Sequence, residues 1–226
     1  ALAKPEGVVR PMNDNSMEER TLEYIYLHGL GQTASSWQSV LEQLPEKGEC
    51  LDLVGLIKGK DATYSNLYGA VSQTCDAAGD SLVLCGLSLG AVLALNYAID
   101  HLERVKALVL IAAQYKMPRA LLAMQNVMFR FMPESSFRQT GFQKADFVSL
   151  CKTTGQLDFS QSVKTLCCPV LLVCGEQDSA NKKASKALAS ILPNAELKEI
   201  PGAGHEVNTQ APAALAEVLQ QFFAHL

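Results

Sequence analysis

The sequence of 226 residues predicts an α/β fold with a mostly parallel sheet of about six main strands flanked by helices. Two observations carry this expectation. Apolar runs of strand length alternate with Ala- and Leu-rich segments of helical length along most of the chain. Several of those runs, such as LVLC at 82–85, are continuously apolar and do not alternate, the pattern of strands covered on both faces. A third observation qualifies the picture: from about 114 to 166 the alternation stops.

Each element follows from its own stretch. VVRPM at 8–12 reads as a short strand weakened by Pro11. TLEYIYLHG (21–29) is a strand that ends at Gly29. Ser35 or Ser36 caps a short helix through SWQSVLEQL, and Pro45 ends it. ECLDLVGL (49–56) reads as the next strand, and residues 65–78 as a helix. SLVLCG is a strand, LGAVLALNYAID a helix and RVKALVLIAA a buried strand. PRALLAMQNVMFRFM and residues 142–152 read as helices of the segment that breaks the rhythm. That segment is too apolar for a linker, and we expect a small helical lid over the strand ends, inserted in a single domain spanning 1–226. CPVLLVCGE is a strand, 182–191 a helix, AELKEIPG a strand and APAALAEVLQQFFAHL a closing helix with Pro212 in its first turn.

Composition narrows the function classes. Apolar residues make up 48% and charged residues 19%, which excludes a disordered chain. The net charge of -4, with no basic run, gives no nucleic-acid partner. No apolar stretch reaches the roughly 20 residues that span a bilayer, and residues 1–20 lack a signal-peptide core, so the expected setting is cytoplasmic without stable membrane insertion. The seven cysteines form no CxxC pair and read as reduced, mostly apolar-packed thiols, not as a disulfide framework or a metal site.

The chemistry concentrates in four short motifs. GLSLG (86–90) fits G-x-S-x-G and lies between an apolar strand and an Ala-rich helix, the setting a nucleophile elbow requires. Ser88 is the candidate nucleophile; a serine hydroxyl is weak alone and needs a base. Of four histidines, His205 in GAGHEVN follows the last strand in a Gly-containing loop and is the preferred base; His101 and His225 read as peripheral. The base needs an acid to fix its tautomer. Asp178 after PVLLVCGE is the candidate, with Glu176 and Asp158 as weaker rivals; the end of RVKALVLIAA offers Gln114 and no acid. HGLGQ (28–32) forms a tight loop in which the Leu30 N–H, with the Leu89 N–H after the nucleophile, would make an oxyanion hole. His28 is expected to shape that loop by hydrogen bonding.

Together, HGLG, GLSLG, GEQD and GAGH resemble the α/β-hydrolase superfamily, from about residue 21 to the C-terminus, with the motifs in the superfamily's order. The resemblance implies an eight-stranded fold in typical members. Against that pattern, this sequence is expected to be without most of the N-terminal two-strand hairpin and to form about six main strands. The likeness is to small lid-bearing esterases, thioesterases and lipase-like enzymes. Serine at position 88 departs from the aspartate nucleophile of haloalkane dehalogenases and epoxide hydrolases.

The expected reaction is acyl transfer to water from a small or medium carboxylic ester or thioester, without metal or organic cofactor, in a monomer or homodimer. The Met-rich segment containing Leu121, Leu122, Met124, Val127, Met128, Phe129, Phe131 and Met132 is either an adaptable wall for an acyl chain or plain packing. Gln32, Met124 and Met128 are the candidate substrate contacts; Trp37 reads as packing. A C–C bond hydrolase or lyase, a perhydrolase and an acyltransferase share the same triad, and a non-catalytic binding protein is the alternative from another class.

Overall fold

The computed structural model describes residues 21–137 and 140–226, without the side chains of Ala120 and Leu121; the strand expected at 8–12 lies outside them. Six strands form one sheet: β1 (Glu23–Leu27), β2 (Gly48–Leu51), β3 (Leu82–Leu87), β4 (Val105–Ile111), β5 (Val170–Gly175) and β6 (Ala195–Ile200). Their order is β2-β1-β3-β4-β5-β6, and every neighbouring pair is parallel. The helices are α1 (Gln38–Leu41), α2 (Leu53–Leu56), α3 (Tyr64–Ala78), α4 (Leu89–Asp100), α5 (Arg119–Phe131), α6 (Lys144–Thr154), α7 (Ser179–Ile191), α8 (Val207–Gln210) and α9 (Pro212–Phe223). No helix among the described residues is long and apolar enough to cross a membrane.

The period of two along the strands divides the core. On β3, Leu82 and Leu84 face α3 and α4 in one cluster, while Val83, Cys85 and Leu87 face the other side. That second side is closed by Trp37 and Val40 near α1 and by Leu215, Leu219 and Phe223 of α9. All six residues of β3 are buried, as are all six of β5, which is why these strands carry continuous apolar runs. Tyr26 and Trp37 pack with their rings tilted and centroids 5.1 Å apart, so Trp37 is packing, as expected.

One expected element is different. The run at 49–56 is not one strand: β2 stops at Leu51 and Leu53–Leu56 turn into α2. The reason is local. The Leu53 N–H donates to His28 Nε2 at 3.3 Å, which draws the backbone out of the ladder beyond Leu51. Helix α7 also begins earlier than expected, because Asp178 is itself its N-cap, accepting from the Asn181 N–H.

The segment between β4 and β5 contributes α5 and α6, which pack on each other through Phe129, Phe137, Phe142 and Phe147. The chain runs from β1 outward to β2, then returns past β1 to lay down β3, β4, β5 and β6 in the opposite direction. The strand order therefore reverses between β1 and β3. Open parallel sheets bind ligands at the carboxyl ends of the strands at such a reversal. The loops after β1 and β3, carrying Leu30 and Ser88, meet there.

Candidate active site

Ser88 sits at the end of β3 and is the N-cap of α4, with φ 54° and ψ −112°. A positive φ is costly for a residue with a Cβ and persists only where the surroundings impose it. Here glycines supply the room. A Cβ added to Gly86 would overlap the Gly90 carbonyl, and one added to Gly90 would overlap the Leu27 carbonyl. The elbow is tied down by the Ser88 N–H, which donates to the Ile111 carbonyl at 2.9 Å.

Asp178 and His205 arrive from the ends of β5 and β6. His205 Nδ1 lies 2.7 Å from Asp178 Oδ2, so Nδ1–H donates to the carboxylate and Nε2 is left to act as base. Gly175 makes this approach possible: a Cβ there would overlap the Gly204 carbonyl in the loop that carries His205. That loop is also pinned by the Gly204 N–H, which donates to Gln210 Oε1 at 2.6 Å. Asp178 is 9% exposed and His205 44% in their side chains, so the carboxylate is sheltered and the imidazole is open.

The carboxylate has a second partner. Asn181 Nδ2 lies 2.9 Å from both Asp178 oxygens, and Gln114 Nε2 donates to Asn181 Oδ1 at 2.8 Å. Gln114 thereby fixes which way the Asn181 amide faces. Burial raises the Asp178 carboxyl, but the hydrogen bonds from His205 and Asn181 outweigh it and hold the group below its ordinary 3.8. Gln114, noted in the sequence only for not being an acid, thus supports the acid from the neighbouring strand. Asn181 was not singled out in the sequence; its signal was its place three residues after an N-cap aspartate.

Ser88, His205, Asp178, Leu30 and Leu89 all line one cavity of about 710 Å³. Among the described residues, neither the Leu30 nor the Leu89 N–H donates a hydrogen bond, so both are available to an oxyanion. The turn carrying Leu30 is tight: the Gln32 N–H donates to the Gly29 carbonyl at 3.1 Å, and Gly31 has φ 93°. His28 is fully buried, with Nδ1 on the Gly29 carbonyl at 2.9 Å and Nε2 accepting from Leu53 N–H. Burial lowers its pKa more than the Gly29 hydrogen bond and the Asp52 charge raise it, so it is a neutral loop brace.

The apolar wall of the cavity comes from Val92, Met117, Leu122, Met124, Met128 and Phe129; the two candidate methionines lie along it with much of their surface open, 65% and 52% exposed. Val127 and Phe131, 54% and 86% exposed, are not part of that wall. Gln32 is a correction. Its side chain is not in the cavity wall but turned behind the loop, 5% exposed and bonded to Gly29 and Asn208, because its amide closes its own turn. The rival acids are engaged elsewhere: Glu176 Oε2 accepts from the Gly202 N–H, and Asp158 pairs with Lys116. His101 stacks on Tyr97, and His225 Nδ1 sits against the Gln221 carbonyl.

Comparison with known proteins follows the same outline. The family model described as "Alpha/beta hydrolase family" matches residues 25–218. A curated protein of Bacillus subtilis (strain 168), provisionally named a 2-succinyl-6-hydroxy-2,4-cyclohexadiene-1-carboxylate synthase, is 22% identical over 89% of this chain and 90% of its own length. A pimeloyl-[acyl-carrier protein] methyl ester esterase of Salmonella heidelberg (strain SL476) is 31% identical over 45% of this chain and 42% of its own length. Among solved structures, the enol-lactonase of Burkholderia xenovorans LB400 superposes with a TM-score of 0.77 at 19% identity, covering 90% of this chain and 92% of that one.

Proposed function

From the premise that the chain belongs to the Alpha/beta hydrolase family, we propose that it is a serine hydrolase cleaving an uncharged, largely apolar carboxylic ester or thioester through an acyl-enzyme. The observation that carries this is convergence. The strained Ser88, the Asp178–His205 pair and two open backbone amides meet on one apolar-walled cavity.

The steps follow from the residues. His205 Nε2 takes the Ser88 proton as Oγ attacks the carbonyl carbon. The carbonyl electron pair moves onto oxygen, where the Leu30 and Leu89 N–H groups stabilise it. Asp178 stabilises the imidazolium without taking its proton. The tetrahedral intermediate collapses, His205 hands its proton to the leaving alcohol or thiol, and the acyl group stays on Ser88. Water, deprotonated by His205, then repeats the sequence and releases the acid.

A second reading has one observation in its favour: the synthase-named Bacillus relative aligns over 89% of the chain, the esterase over 45%. That synthase's named product is a carboxylate. Among the described residues, the ionisable groups lining this cavity are Asp178, His205, Glu206 and Cys151, with no Lys or Arg to pair a substrate carboxylate. The lining therefore favours the neutral ester.

A panel of p-nitrophenyl esters and acyl thioesters of increasing chain length, run beside Ser88→Ala, tests the proposal. Turnover is expected in the wild type and a loss of at least about 10⁴-fold in the variant. Absence of turnover, combined with no labelling of Ser88 by a fluorophosphonate, would overturn the hydrolase reading.

A further inference from the structure

Gln32 and Asn208 stand 176 positions apart and form a closed pair of amides. Gln32 Nε2 donates to Asn208 Oδ1 at 2.9 Å, and Asn208 Nδ2 donates back to Gln32 Oε1 at 3.2 Å. Each partner then reaches one further group. Gln32 Oε1 also accepts from the Gly29 N–H at 3.2 Å, closing the turn whose outer N–H belongs to Leu30. Asn208 Nδ2 also donates to the Ser36 carbonyl at 3.2 Å, after the same loop. Asn208 is fully buried and Gln32 is 5% exposed.

The placement of Asn208 gives the pair its meaning. It lies in α8, three residues after His205, on the chain that leaves the base. The amide pair thus joins the loop of one oxyanion donor to the loop of the general base. The other joints of the site are already close: a Cβ added at Gly29 would meet Leu87 and Ser88, and His205 bonds to Asp178. Among the described residues, the side-chain hydrogen bonds between the oxyanion turn and the segment after His205 are those of these two side chains.

We propose that Gln32 and Asn208 are positioning residues for the reaction: their reciprocal hydrogen bonds hold the Leu30 N–H and His205 at the separation the transition state requires. The inference rests on the serine-hydrolase reading and deepens it. Neither side chain touches substrate. Each acts through a backbone, Gln32 through the turn at Leu30 and Asn208 through the His205 loop. Misplacing a reacting group by about 1 Å costs on the order of 100-fold in rate. An oxyanion donor matters only once charge has developed, so its loss lowers kcat and leaves KM nearly alone.

Three variants separate positioning from stability. Asn208→Leu leaves Gln32 Nε2 buried without its partner while Oε1 keeps the Gly29 N–H, and Gln32→Met keeps the Asn208–Ser36 contact. The double variant Gln32→Met with Asn208→Leu replaces both amides by apolar groups of similar size. It removes the orphaned Gln32 Nε2 but takes the Gln32 acceptor from the Gly29 N–H and the Asn208 donor from the Ser36 carbonyl, so it restores part of the stability lost in Asn208→Leu. Each is measured for Tm, for kcat and KM on the best p-nitrophenyl ester, and for the rate of Ser88 labelling by a fluorophosphonate. The expected result is a drop of about 10- to 100-fold in kcat and in labelling rate for all three, with KM within about threefold of wild type. The double variant regains part of the Tm lost in Asn208→Leu without regaining kcat. Rates that recover with Tm in the double variant, or a change in KM alone, would overturn the proposal. Should Asn208→Leu fail to fold, Gln32→Met carries the same comparison: wild-type kcat and labelling there overturn the proposal. A wild type that neither turns over nor labels at Ser88 removes the parent reading, and this one with it. A wild type that labels at Ser88 while the variants match it removes only this one.

Discussion

At Asp178, burial and hydrogen bonding pull in opposite directions, and hydrogen bonding wins. The consequence is a pH dependence of known sign. A carboxylate held below its ordinary value contributes stability that is present above the unfolded-state value, about 4. That stability is lost as the pH falls through the lower folded-state value. Replacing Asp178 by Asn removes the charge but keeps the shape. The Tm gap between wild type and Asp178→Asn should be widest near neutral pH and close below about pH 4. A gap that stays constant on acidification would mean the carboxylate is not held by its partners. The same variant should lose about 10⁴-fold in kcat, because Asn presents the wrong partner to the His205 Nδ1–H. The motifs made Ser88, Asp178 and His205 legible, since each is a residue type fixed by chemistry at the end of a strand. Asn181 and Asn208 were illegible for a physical reason. Their roles depend on a partner brought close only by folding, and an asparagine carries no local pattern that announces one.

At the scale of elements, the site is assembled by close approach of loops. The end of β5 and the loop after β6 touch backbone to backbone at Gly175 and Gly204. An added methyl group at Gly175 has no flexible side chain to displace, only the carbonyls of Ala203 and Gly204. Gly175→Ala should therefore cost about 2–3 kcal/mol of stability by thermal or urea unfolding, as overpacking does. It should also lower kcat more than Ser88 labelling by a small fluorophosphonate, since it moves the His205 loop and leaves the elbow in place. An unchanged Tm would show that this contact has slack. Strands and helices were readable because continuous apolar runs and helix periods are local signals. The error at 49–56 was not local. His28, from the loop after β1, captures the Leu53 N–H and ends β2. Hydropathy registers Leu53–Leu56 as apolar in either conformation, so it could not report that competition.

The whole molecule carries a net charge of -4, and its cavity follows the same sign. Asp178 and Glu206 line it, and among the described residues no Lys or Arg does. The field inside should discriminate between esters of equal length. A negative charge about 8 Å from a carboxylate, at an effective dielectric of about 40 to 80, is disfavoured by about 0.5–1 kcal/mol. Two such carboxylates give about 1–2 kcal/mol, or roughly fivefold to thirtyfold in kcat/KM. Desolvating the substrate's own charge against Leu122, Met128 and Phe129 acts in the same direction. A p-nitrophenyl ester whose acyl chain ends in a methyl group should therefore outrun its isosteric partner ending in a carboxylate. The part of the difference that comes from repulsion should shrink between 10 mM and 1 M salt, where the screening length falls from about 30 Å to about 3 Å. The desolvation part should persist. If the carboxylate-ended ester is instead the better substrate, a cation must reach the cavity during turnover. The synthase-like reading, whose named product is an anion, would then displace the neutral-ester one.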